Sequence, residues 1–189
     1  MEKHILSKSR LDLIHKAPVL YKAKYIDGTL KGLDDSPALT LGKALHCRIL
    51  EPQEFGKRYT IAPQIDKRTK EGKELWNRFL IETEGLTVLT REQDHQIEAM
   101  AKSVFEHPAA ALLLKKDGKS EIMVNWQDES LVPCRGIIDR LTDDGLIIDL
   151  KTTDDASPKG FARSVHKYRY HVQAAFYWDG VPNSQGFFF

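Results

Sequence analysis

At 189 residues the chain is long enough for one substantial hydrophobic core and short for two full domains. Its 41% hydrophobic and 29% charged content is that of an ordinary globular protein, it has no apolar run long enough for a membrane span, and Met1-Glu2-Lys3-His4 does not open a secretory signal, so a cytoplasmic protein is expected. A net charge of +1 neither requires nor excludes a polyanionic partner, while two cysteines, Cys47 and Cys134, exclude a disulfide framework and a four-thiolate cluster and are expected to be buried thiols.

Ser7 is an N-cap candidate for a short helix that Pro18 stops, residues 19–25 predict a second, and residues 27–37, rich in Gly and Asp, predict a loop. From Ala38 to Leu50 the apolar residues Leu41, Ala44, Leu45, Ile49 and Leu50 recur at helical spacing until Pro52. His46 lies beside that stripe, where a histidine is ordinarily a packing or surface residue. Residues 59–63 predict a short extended piece. Residues 69–82 predict a helix with Leu75, Phe79 and Leu80 inward, and the segment from Lys57 to Arg78 is locally basic, with seven basic against three acidic residues. Residues 90–106 predict an amphipathic helix opened by a capping box of Thr90 and Gln93, broken at His107-Pro108 and followed by another apolar turn. Gly118-Lys119-Ser120 has the ending of a phosphate loop, but the upstream glycine of that motif falls on Leu113. The tripeptide reads as a turn, and no use of ATP is expected.

Residues 121–126, 132–141 and 146–152 then read as an antiparallel meander. Its last two strands carry the chemistry. If the loop between them is Asp143-Asp144-Gly145, with Gly145 left-handed, Asp139 lies directly opposite Asp149 and Lys151 projects from the same face. Carboxylates facing across a ladder repel, and a hard divalent cation turns that cost into binding. A two-residue Asp144-Gly145 turn would instead pair Asp139 with Leu150 and send Asp149 to the other face, so the metal reading depends on register. The competing reading is a solvated hairpin in which Lys151 offsets the acids, although Ile137, Ile138, Ile147, Ile148 and Leu150 make it too apolar for exposure on both faces. Ser157-Pro158 opens a helix on which Lys159, Arg163 and Lys167 recur every four residues with no acid before Arg169. One face is expected to be uniformly positive, either solvated or in contact with phosphates. Residues 170–177 predict a helix with Gln173 and Tyr177 on one face. The apolar Gly186-Phe187-Phe188-Phe189 reads as a strand just beginning, so a further C-terminal segment is expected.

Four stretches in order, Leu41-Gly42-Lys43-Ala44-Leu45-His46, Gly136-Ile137-Ile138-Asp139, Ile148-Asp149-Leu150-Lys151-Thr152-Thr153 and Tyr170-His171-Val172-Gln173-Ala174-Ala175-Phe176-Tyr177, resemble the four motifs of the RecB-like branch of the PD-(D/E)XK nuclease superfamily. Within it, Asp154-Asp155-Ala156-Ser157 and the stretch from Tyr170 to Tyr177 are similar to the exodeoxyribonuclease VIII (RecE-like) exonucleases, usually phage or prophage recombination proteins. The resemblance spans nearly the whole chain. It implies a single α+β domain over residues 1–189, lacking a C-terminal segment, with an α/β/α restriction-endonuclease-like core: a central mixed sheet with an antiparallel hairpin, flanked by helices. It also implies Asp139, Asp149, the Leu150 carbonyl and His46 as ligands of Mg²⁺, with Mn²⁺ as a substitute. Lys151 matches the catalytic lysine that orients or helps to deprotonate the attacking water. Gln173 and Tyr177 match the motif that positions the lysine or the DNA backbone, and Glu121 is a looser match for one more acid. Lys159, Arg163, Lys167 and Arg169 are expected to follow phosphates, contacts that carry no sequence information.

The activity implied is ATP-independent digestion of linear double-stranded DNA from 5′ ends, leaving 3′ single strands for recombination. The family often works as a ring-shaped homo-oligomer that hands the strand to a single-strand annealing protein, in a bacterial or phage-encoded, cytoplasmic setting. No membrane partner is expected, since no apolar run is long enough for a span. A structure-specific endonuclease of the same superfamily and a catalytically silent DNA-end-binding module are the alternatives. The two cysteines argue against an iron–sulfur nuclease, and the missing phosphate loop against a helicase–nuclease motor.

Overall fold

The computed structural model describes residues 5–30 and 36–189. In chain order the elements are α1 (Lys8–Lys16), α2 (Pro18–Tyr21) continued by a π-helical turn (Lys22–Ile26), α3 (Pro37–Leu50), α4 (Pro52–Arg58), β1 (Tyr59–Ile61), α5 (Lys70–Glu82), β2 (Thr87–Leu89), α6 (Arg91–Glu106), α7 (Pro108–Lys115), β3 (Gly118–Gln127), β4 (Pro133–Thr142), β5 (Leu146–Ile148), α8 (Pro158–Lys167), α9 (Tyr170–Gly180) and β6 (Gly186–Phe188). They form two compact units, one made of the N-terminal segment together with Leu114–Phe189, the other of Ser36–Leu113. Part of the loop expected over residues 27–37 lies outside the described residues. No helix of the described residues is long and apolar enough to cross a membrane.

The second unit is built on α3, which buries Ala44, Leu45, Cys47, Ile49 and Leu50. Ser36 caps it, accepting a hydrogen bond from the Leu39 N–H at 3.2 Å. Pro52 does stop α3, but it also opens α4, an element absent from the sequence reading. Proline is tolerated in the first turn because its missing N–H would have had no intrahelical partner there. β1 and β2 pair in parallel, Tyr59 facing Thr87 and Ile61 facing Leu89. The capping box of α6 forms in both directions, at 2.9 and 3.1 Å. Two expectations fail in this unit. Leu75 and Leu80 of α5 do not point inward and are 40% and 43% exposed. The helix buries only Gly72, whose missing Cβ lets the Asp66 carbonyl approach the backbone. The basic excess between Lys57 and Arg78 is also partly cancelled locally, with Arg58 on Glu51, Lys57 on Glu54 and Arg68 on Asp66.

The first unit holds a mixed sheet in the order β3-β4-β5-β6, antiparallel except for the parallel pair β5–β6. The turn between β4 and β5 is the three-residue one. Gly145 is left-handed at φ 84°, its N–H meets the Thr142 carbonyl at 2.9 Å, and Arg140 faces Ile148. Ile138 and Ile147, both fully buried, pack with Val181 to form the core beneath this hairpin, with Val124, Leu141, Tyr177 and Phe187 around them. Cys47 and Cys134 are buried thiols in their respective units, with no disulfide between them.

Two strand boundaries differ from expectation. Gly118-Lys119-Ser120, read as a turn, is the first part of β3 and pairs with Arg140, Leu141 and Thr142. The strand predicted to run to residue 152 stops at Ile148. Beyond it the Asp149 N–H still bonds the Phe188 carbonyl at 2.9 Å, but the Leu150 N–H turns to a side chain, Oδ2 of Asp139, at 2.8 Å. The ladder ends where the backbone begins to serve the acids.

Candidate functional site

The hairpin register carries Asp139, on β4, opposite Asp149, the residue immediately after β5. On its other flank β4 pairs with β3, and the pairing is the same on both sides of Glu121: Ser120 faces Arg140 and Ile122 faces Ile138. Glu121 therefore stands opposite Asp139, yet it drops out of the ladder because its backbone is left-handed at φ 52°. For a residue with a Cβ that conformation costs on the order of 1–2 kcal/mol. A Glu121 carboxylate oxygen lies within 4.8 Å of one from Asp139. Three neighbouring strands thus place three carboxyl groups in one row.

Burial decides how these groups behave. Asp149 is 1% exposed, and its Oδ1 accepts a hydrogen bond from Gln173 Nε2 at 2.6 Å while Lys151 Nζ closes on Oδ2. Burial pushes the Asp139 carboxyl above the usual carboxylate range, against the charge of Lys151 and the Leu150 N–H, which pull it down. Tyr177 is pushed up to about 12, first by burial and then by the negative charge of Asp149 and Asp139. Its hydroxyl therefore stays protonated and can donate. Gln173 and Tyr177 lie one turn apart on α9, so both reach the hairpin from above. The glycine of the Gly136-Ile137-Ile138-Asp139 stretch has a direct reason to be there: a Cβ at Gly136 would lie 2.8 Å from Cε1 of the Tyr177 ring.

Carboxylate oxygens are the donors that hard cations such as Mg²⁺ and Mn²⁺ take, and Glu121 and Asp139 bring theirs within 4.8 Å of each other. The raised Asp139 carboxyl fits the same reading, since its ionised form is costly here and gains from a bound cation. Donor chemistry and burial both suit a divalent metal.

Of the residues singled out in the sequence, Asp139, Asp149, Leu150, Lys151, Gln173 and Tyr177 come together at this end of the sheet. His46 lies half-buried on α3, in the second unit. The basic residues of the α8 region are less uniform than their spacing suggests. Arg163 is held by Asp155 at 2.9 Å, and Arg169 by Asp12 at 3.3 Å. Asp155 reaches α8 because Gly160 has no side chain; a Cβ there would lie 2.1 Å from the Asp155 Cγ. Its Oδ1 accepts from the Ser157 N–H at 3.0 Å, which makes it part of the helix start. Lys159 and Lys167 are exposed. Glu121 was the weakest match in the sequence. Its signal was the register of β3 on β4, which only the pairing reveals.

The family model of a PDDEXK-like domain of unknown function (DUF3799) matches residues 7–187. No curated protein matches the chain.

Proposed function

Since the chain belongs to this PDDEXK-like family, with the α+β fold of the PD-(D/E)XK nuclease superfamily, we propose that it is a Mg²⁺-dependent deoxyribonuclease that degrades linear double-stranded DNA from its ends. The observation that carries the reading is the buried Asp149, held between Lys151 and Gln173 and facing Asp139 across the hairpin. Such a grouping is expensive as mere structure, because several carboxyl groups share a desolvated place. It repays that cost if it handles phosphodiester charge.

Asp139, Asp149 and Glu121 would hold the cation, and the family motif adds the Leu150 carbonyl and His46. When bound, Mg²⁺ supplies positive charge for the phosphoryl oxygens and acidifies water. Lys151, held against Asp149, orients the attacking water and offsets charge on the scissile phosphate. Gln173 fixes the Asp149 carboxylate, and Tyr177, neutral throughout the working range, donates a hydrogen bond at the reacting end of the sheet. Hydrolysis of this kind depends on positioned charge more than on a covalent nucleophile. Lys159 and Lys167, with Arg163 and Arg169 once their acids yield, would follow the DNA backbone.

The finer reading, resection from 5′ ends to leave 3′ strands for recombination, as a homo-oligomeric ring that works with a single-strand annealing protein, rests on the RecE-like phrases from Asp154 to Ser157 and from Tyr170 to Tyr177. Linear and closed circular duplexes of one sequence test the central part. Loss of the linear form with the circle intact supports an end-dependent enzyme. Cutting of the circle would make it an endonuclease, and no product from either would leave a DNA-end-binding module.

A further inference from the structure

A second feature of the first unit is a cleft of 860 Å³ between α1 and the junction of α8 with α9. Lys8, Lys16, Lys167 and Arg169 line it against a single carboxylate, Asp12. That carboxylate is already committed: Lys8 bonds it at 2.6 Å and Arg169 at 3.3 Å, and Lys8 also bonds the Tyr168 carbonyl at 2.7 Å. These contacts tie α1 to the α8–α9 junction. Among the described residues neither Lys16 nor Lys167 is in an ion pair, so the cleft keeps an excess of positive charge. Its remaining lining includes three histidines and no further acid.

The junction is also unusual in its backbone. Arg169 is left-handed at φ 55°, between Tyr168 and Tyr170. Residues two apart do not face each other on a regular helix. Here the left-handed residue between them lets their rings stack, with centroids 5.7 Å apart and planes at 24°. The stack continues from Tyr170 to Phe189 at 5.5 Å and 29°. Lys151 Nζ sits 5.0 Å from the Tyr170 ring. At the outer end Tyr168 is 48% exposed, with Lys167 Nζ 4.9 Å from its ring. A line of rings thus joins an exposed aromatic step in a basic cleft to the lysine of the carboxylate site.

We infer that this cleft binds one unpaired nucleic-acid strand, with a base on Tyr168 and its phosphates on Lys16 and Lys167, leading the strand toward Lys151. A positive groove that offers an exposed ring is the arrangement by which single strands are held without regard to sequence. A duplex backbone would need the cations but not the ring, because paired bases present no free face. An acidic peptide would likewise leave Tyr168 without a purpose. The inference deepens the nuclease reading and rests on it: an enzyme that resects an end must handle a frayed strand next to the scissile bond.

Fluorescence anisotropy tests this in EDTA, where no hydrolysis occurs, with an oligothymidine of about 20 nucleotides, longer than the site of a single groove, and a blunt hairpin duplex as probes. Tyr168→Ala should weaken oligothymidine binding about 5- to 150-fold, the range expected for one lost stacking contact, and change duplex binding less than about twofold. Tyr168→Phe should bind like the wild type, which separates lost stacking from a damaged fold. Lys16→Glu with Lys167→Glu should weaken single-strand binding and flatten its salt dependence. Oligothymidine binding unchanged in Tyr168→Ala, or an equal loss for the duplex, would overturn the inference. Because no cleavage is needed, the nuclease reading fails separately: Tyr168-dependent strand binding by a protein that hydrolyses no DNA would overturn that reading and leave the cleft standing.

Discussion

Asp144 and Asp139 belong to the same hairpin and are treated in opposite ways. At the tip, Asp144 is exposed, and hydrogen bonds from Lys116 at 2.6 Å and Thr142 at 2.5 Å hold its carboxyl below the usual range. Five residues earlier Asp139 is half-buried, and burial pushes its carboxyl up in spite of Lys151 and the Leu150 N–H. The tip acid shapes the turn, since Thr142 also accepts from the Leu146 N–H at 2.8 Å and so closes the loop that sets the register. The inner acid carries a desolvation cost that the hydrogen bond from the Leu150 N–H offsets only in part. A residue type that stabilises one end of a hairpin therefore destabilises the other, and the costly end is where Lys151, Gln173 and Tyr177 gather.

If the inner end exists for catalysis, Asp149→Ala or Lys151→Ala should lower hydrolysis of linear duplex DNA about 10²- to 10³-fold, as loss of a positioned polar group does in other enzymes. Circular dichroism should report an intact fold for Lys151→Ala. Gly136→Ala should come next, because the new Cβ must displace the Tyr177 ring. We expect a loss of about 1–3 kcal/mol in urea unfolding, as for other overpacked sites. Asp139→Asn should abolish activity yet stabilise the protein in EDTA, raising the melting temperature at pH 7. The sign follows from linkage: a carboxyl whose folded pKa lies above its unfolded value favours folding only while protonated, and that contribution is lost as pH rises through the folded value. The gain should accordingly shrink toward pH 4 and below, where melting curves of the two proteins should converge. Asp144→Asn is the mild counterpart. Its amide oxygen still accepts from Thr142 and only the exposed ion pair with Lys116 is lost, so activity should be unchanged and the melting temperature at pH 7 should fall slightly. A rise in melting temperature in that variant would erase the contrast between the two ends.

Much of this site was legible because it depends on local rules. Asp143-Asp144-Gly145 leaves two turns open, and once the three-residue one is fixed, alternation places Asp139 against Asp149 and Lys151 on their side. The four-residue spacing of Gln173 and Tyr177 needs only a helix. What escaped the sequence depends on distant pairing. Glu121 joins the row through the register of β3, and its left-handed backbone is not one that glutamate prefers. Gly118-Lys119-Ser120 resembles a turn in composition and becomes strand because Arg140, Leu141 and Thr142 are there to pair with it. The positive face of α8 was overstated for the same reason: Asp155 folds back from the preceding loop onto Arg163, a contact that the empty side of Gly160 permits. Short elements such as α4 and β2 offer too few residues for periodicity to show. Leu75 and Leu80 follow helical spacing and remain exposed, since spacing defines a face without providing something to cover it.

The central claim is that the carboxylate row and Lys151 hydrolyse DNA with a divalent cation. The most direct test is release of acid-soluble nucleotide from linear duplex DNA labelled at the 5′ or the 3′ end, in Mg²⁺ or EDTA, with wild-type protein beside Asp149→Ala and a closed circular control. The wild type should release label only with Mg²⁺, the 5′ label first, with the circle intact and no release by the variant. Equal release in EDTA, or by folded Asp149→Ala, would contradict the claim.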